Sequence, residues 1–142
     1  MGLDMSHNAW HGGYASFDRF RTTLTAVAGL PLTDGDLPNT KWIDINWDAV
    51  TTLNLMGEWG EKLPTLRDGT FDPLMLLIVH SDCDGVLHPY HAKLIADRVE
   101  ELIPLLPVEA EGRHRGYYAE KAQQLVDGFR RAHAAGEEVV FA

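Results

Sequence analysis

A chain of 142 residues, 45% hydrophobic and 23% charged, has the size and make-up of one folded domain, residues 1–142, whose core needs no disulfides. Its net charge of −9 excludes a broad interaction with nucleic-acid backbone, which needs clustered Lys and Arg, but leaves room for a small anion in a local pocket. A single cysteine, Cys83, excludes an internal disulfide and fits a reducing cytoplasm; Asp4 and His7 interrupt any signal-peptide core, and no run reaches membrane-spanning length.

In chain order, "GGYASFDRFRTTLTAVAGLP" predicts the first helix. Phe17, Phe20, Leu24 and Val27 recur at helical spacing, and Gly29 and Pro31 end it. "KWIDINW" alternates, with Ile43, Ile45 and Trp47 on one side, and predicts a short strand. "DAVTTLNLMGEWG" reads as a short helix. "FDPLMLLIVH" places Asp72 at an N-cap and Pro73 at the first helical position. "HPYHAKLIADRVEELIPLLP" uses the same device at Pro89. It should bury Ile95, Val99, Leu102 and Ile103, with Asp97, Glu100 and Glu101 toward water. "YYAEKAQQLVDGFRRAHAAG" predicts the last helix, closed by Gly136 with Arg130, Arg131 and His133 near its negative end. "EEVVFA" reads as a terminal strand, pairing with the start of the chain or with "KWIDINW". The expected class is α+β and mostly helical, with four to five helices and a small sheet of short strands.

Between two of these helices stands "IVHSDCDGVLHPYH", Ile78–His91. With Gly85 at position 6 of an EF-hand loop, Asp82, Asp84 and Leu87 fall at positions 3, 5 and 8, and a helix is expected on each side. His80 and His91 occupy positions 1 and 12, where calcium needs hard oxygen ligands, the bidentate carboxylate above all. His80, Cys83, His88 and His91 are zinc-type donors, but Pro89 limits how the second pair converges. The same stretch superficially resembles haloacid-dehalogenase-type phosphatases, with Asp82 as nucleophile and Asp84 as acid/base. Asp72-Pro73 makes the preceding apolar run a helix, however, where that chemistry needs a strand. The simplest reading is an EF-hand-like helix–loop–helix without metal: Asp82 and Asp84 accept backbone N–H bonds, Gly85 supplies a left-handed turn, and no cofactor is required. A divalent metal on Asp82, Asp84 and His80 is the alternative.

The first segment, "SHNAWHGGYASFDRFR", gathers His7, Trp10, His11, Tyr14, Arg19 and Arg21. Arg21 lies at the edge of the apolar face and needs an anionic partner. Either Asp82 or Asp84 supplies it, or a ligand phosphate or carboxylate does, with Trp10 or Tyr14 stacking on a base. The candidate ligand-binding residues are therefore His7, Trp10, His11, Tyr14 and Arg21. Gly12 and Gly13 argue against a helical zinc pair from His7 and His11.

"SHNAWHGGY", "HSDCDGVLHPYHAKLIADRVEELIPLLP" and "FRRAHAAGEEVVFA" together resemble a family of small proteins of bacteriophages, prophages and actinobacteria. The resemblance covers the first thirty residues, Pro73 to Pro107, and the final helix and strand. It implies no catalytic residue. It implies instead a non-enzymatic phage-type accessory protein, acting in the host cytoplasm in counter-defence by binding a host protein or a small anionic ligand such as a nucleotide. A metal-dependent phosphoesterase built on Asp82 and Asp84 is the first alternative. A structural module that self-associates into a homo-oligomer through an apolar face is the second.

Overall fold

The computed structural model describes residues 2–34, 41–43, 65–66 and 68–142. The expected helix over 48–60 lies outside these residues, as do Ile45 and Trp47.

The chain opens on a hairpin. Strand β1 (Gly2–Met5) buries Leu3 and Met5 on one face, turns through a short 3-10 segment (Ser6–Asn8), and returns as β2 (Trp10–Gly13). The register sets Met5 opposite Trp10, so the indole falls on the buried face. Helix α1 (Tyr14–Val27) follows and buries Phe17, Phe20 and Leu24, three of the four positions its spacing predicts. Strands β3 (Leu32–Asp34) and β4 (Lys41–Ile43) form a second antiparallel pair, and β4 is the start of the strand expected in "KWIDINW".

Helix α2 (Leu74–Ile78) is only five residues long, and Leu74 to Leu77 are all fully buried. A helix this short and apolar on every side cannot hold itself together in water, and its stability must come from what surrounds it. Two arginines brace it. At its start, Asp72 Oδ1 accepts a hydrogen bond from Leu74 N at 2.8 Å, and the same carboxylate is gripped by Arg98 Nε at 3.1 Å. At its end, Arg21 Nη1 reaches the carbonyls of Leu77, Ile78 and His80 at 3.3, 3.2 and 2.8 Å. Asp72 thus satisfies the first helical N–H as expected, but from one position earlier, since Pro73 is itself the N-cap. Replacing Arg21 with methionine keeps most of the aliphatic stem and deletes these charge-assisted bonds. A loss of about 2 kcal/mol in denaturant unfolding is expected. An unchanged midpoint would mean that the end of α2 is held by something else.

After the loop come strand β5 (Val86–Leu87) and helix α3 (Pro89–Leu102), which has His88 as N-cap, its Nδ1 accepting from Tyr90 N at 3.1 Å. Ala92, Ile95, Ala96, Val99 and Leu102 form one buried stripe, which runs into a 3-10 turn (Ile103–Leu105). Helix α4 (Tyr117–Ala135) packs its own stripe, including Leu125, Val126 and Phe129, along α3. Arg130 bridges the two helices on the water side to Glu100 and Asp97. The Glu100 carboxyl is held below its ordinary range by Arg130, that of Asp97 first by Lys93 and then by Arg130, and the pairing raises the guanidinium. Gly136, at φ 66°, ends α4 in the left-handed turn its position predicts.

Strand β6 (Val139–Val140) then pairs with β5, setting Val86 opposite Val140 and Leu87 opposite Val139. On its other side a bridge joins Phe141 to Met5, and Asp4 and Ala142 exchange backbone hydrogen bonds at 2.8 and 2.9 Å. The terminal strand therefore meets the start of the chain, as one of its two expected pairings had it, and also the loop, which was not expected. The fold is α+β and mostly helical. No described helix is long and apolar enough to cross a membrane.

Candidate functional site

The loop between α2 and α3 has the EF-hand outline without its ligands. Val86 and Leu87, at positions 7 and 8, form the short strand that such loops use, but they pair with β6 instead of a second loop. His80, at position 1, is 8% exposed, and its ring is stacked on Phe141 with centroids 3.9 Å apart. Its Nδ1 lies 2.8 Å from the Ser81 carbonyl and its Nε2 2.9 Å from the Val86 carbonyl. Both ring nitrogens thus face backbone oxygens and not a common metal position. Asp82 and Asp84 make no hydrogen bond or ion pair with the described residues, so the expectation that they cap the loop is corrected. Ser81 takes that role, its Oγ accepting from Cys83 N at 3.3 Å. Among the described residues, no three of His, Cys, Asp and Glu are placed to hold a metal ion.

The five residues expected to bind a ligand separate. Trp10 is fully buried, with its ring centroid 5.1 Å from those of both Phe17 and Phe20, so it cannot stack on a base. Tyr14 is half-buried against the same core. Arg21 lies over the Phe17 ring at 4.5 Å and donates to Asp18 at 2.6 Å besides the α2 carbonyls. It does tie α1 to the loop, through the His80 carbonyl and not through Asp82 or Asp84. His7 and Asn8 adopt left-handed backbone, φ 58° and 55°, unusual for two consecutive non-glycine residues. His11 is exposed, with Nδ1 2.7 Å from Asp4 Oδ1 and Nε2 2.6 Å from Asn8 Oδ1.

Helix α4 supports that left-handed turn from below. Arg131 donates to the His7 carbonyl, Gln124 to the Asn8 carbonyl at 2.9 Å, and Lys121 to the His11 carbonyl at 2.8 Å. Gly128 makes the approach feasible, since a Cβ there would stand 2.6 Å from Ala9 Cα and 2.9 Å from the His7 carbonyl oxygen.

At the α1 end of this contact is a cluster that lay outside the expected set. Lys121 Nζ sits 4.7 Å above the Trp10 ring and 5.9 Å from the Tyr117 ring. The Arg113 guanidinium lies over Tyr117 at 5.2 Å and donates to Ser16 Oγ, in the first turn of α1, at 2.7 Å. Burial, and then the Arg113 charge, lower the Lys121 pKa. Arg21, Lys93, Arg98, Arg115 and Arg130 each pair with a carboxylate. Arg113 and Lys121 pair with none among the described residues, although they influence each other in a chain of net charge −9. Arg19 and Arg131 also lack one; Arg113 is exposed as Arg19 is, and Lys121 donates to a backbone carbonyl as Arg131 does, so what sets Arg113 and Lys121 apart is that both lie near one ring, that of Tyr117. The basic run "GRHRG" at 112–116 was the available signal, but nothing in it names Lys121 as a neighbour.

No protein-family model, curated protein or solved structure matches the chain.

Proposed function

We propose that the protein is a non-enzymatic accessory binding protein, of the kind the phage-family resemblance implies, and that it takes a small anionic ligand on the face formed by Arg113, Lys121 and the start of α1. One observation supports this reading: two neighbouring cations are left without a carboxylate where five other basic side chains have one. Two like charges held near one aromatic ring repel each other, and an anion between them relieves the repulsion. The face is a few side chains across, which suits a small molecule and not a polyanion on a protein this acidic. This surface replaces the one centred on Trp10 and Arg21: the Trp10 ring faces are packed on Phe17 and Phe20, and the Arg21 guanidinium is taken up by Asp18 and the carbonyls at the end of α2.

Amide chemical-shift titration with a panel of small carboxylates, sulfate and phosphate tests the reading. Shifts are expected at Gly13 to Ser16, Arg113 and Lys121. They should weaken at least about tenfold in the double variant Arg113→Gln/Lys121→Met, provided its spectrum remains that of a folded chain. A panel that moves no resonance in this region, or moves the double variant equally, sinks the proposal.

A further inference from the structure

We infer that the ligand is a phosphomonoester in its dianionic form, its phosphate seated at the amino end of α1 between Arg113 and Lys121; the inference rests on the small-anion reading above and narrows it.

Charge is the first ground. The site offers two unit charges with no carboxylate partner among the described residues, and a guest of two negative charges neutralises both, whereas a carboxylate leaves one cation exposed to the other. Hydrogen-bond donors are the second. Helix α1 runs for fourteen residues from Gly13, an N-cap with no side chain to satisfy the first-turn N–H groups, and no acidic residue lies in that turn. Its amino end carries the positive end of the helix dipole and suits a phosphate. The Arg113 fork is anchored there by a single nitrogen on Ser16, which leaves its other donors for a guest.

The third ground is independent of the helix end. Trp10 Nε1 is a fully buried N–H with no acceptor among the described residues. The indole edge that carries it faces the bare Cα of Gly12, 3.4 Å from where a Cβ would stand, one residue before the N-cap. Lys121 lies over the same ring. A donor without an acceptor, a glycine and an ammonium whose hydrogen-bond partner is a carbonyl and not a carboxylate thus lie beside the residue that precedes the N-cap of α1. A buried polar group without a partner is costly, and a bound acceptor is one remedy. The lowered Lys121 pKa agrees: burial penalises its charge, and a neighbouring anion offsets that penalty.

Methyl phosphate and methyl sulfate separate the narrow inference from the broad one. They are nearly the same size, but near neutral pH the first is mostly a dianion and the second a monoanion. At pH 7.5, methyl phosphate should bind about tenfold more tightly, and the advantage should collapse below about pH 6 as the phosphate gains its second proton. Arg113→Gln, an exposed substitution that leaves the core intact, should reduce methyl phosphate to the level of methyl sulfate. The Trp10 indole resonance, assigned by its disappearance in Trp10→Phe, should shift on phosphate binding. Equal affinities at pH 7.5 would overturn the dianion and leave the small-anion reading standing. Binding of neither probe, with no other small anion bound, would overturn both. Shifts seen only with a phosphorylated peptide, and not with methyl phosphate, would overturn the inference that the phosphate itself is the recognised group.

Discussion

Truncating Trp10 to alanine is expected to cost about 3–5 kcal/mol, the range for removing a buried aromatic side chain. The indole has no exposed surface, packs on Phe17 and Phe20, and joins the hairpin to α1 and α4. Its loss leaves a cavity that three different elements would have to collapse to fill. Trp10→Phe should cost well under half as much, because the indole N–H makes no hydrogen bond that the substitution would break. Urea unfolding of the two variants measures both numbers. If Trp10→Ala unfolds within about 1 kcal/mol of the wild type, the hairpin does not depend on the indole.

Gly128→Ala should destabilise by about 3 kcal/mol although alanine is the better helix former. Propensity alone favours alanine by about 1 kcal/mol. Against this, the new Cβ would stand 2.6 Å from both Cα and Cβ of Ala9, and backbone atoms cannot swing aside as a side chain can. The helix and the His7–Ala9 turn must move apart. Overpacking of this kind costs about 1–3 kcal/mol, and the hydrogen bonds from Lys121, Gln124 and Arg131 are worth about 1 kcal/mol each. At about 2–4 °C per kcal/mol, the thermal midpoint should fall by roughly 6–12 °C. Adding Ala9→Gly removes one of the two clashing carbons and should recover part of the loss. A stabilised Gly128→Ala would show that propensity outweighs the contact.

The local signals in the sequence carried the helices well. Asp72 before Pro73, His88 before Pro89 and Gly136 after the basic last turn are chemical stops and starts, readable because caps act within a few residues. In the loop the left-handed turn at Gly85, φ 93°, followed from the same local rules, whereas the caps expected from Asp82 and Asp84 did not. What did not follow was the use of each polar side chain across the fold. Arg21 was expected to find Asp82 or Asp84, and instead ends α2 through carbonyl groups, which every residue has and no sequence pattern marks. Trp10 sat among histidines and arginines and so read as a surface aromatic. The alternation of Leu3 and Met5, paired across the hairpin, is what turns it inward. Nothing local marks Lys121, since its partner carbonyl lies 110 residues earlier in the chain.

Strand β6 has a temporal consequence. It is placed between the loop strand and the opening hairpin, so the edge of β1 has its partner only once residues 139–142 exist. On a ribosome adding about 5–20 residues per second, that edge stays open for roughly 6–26 seconds after the hairpin is made. An unpaired edge is a template for foreign strands. The hairpin's exposure to mispairing is therefore set by how quickly the rest of the chain is made, and slowed synthesis lengthens it without any change in the stability of the finished protein.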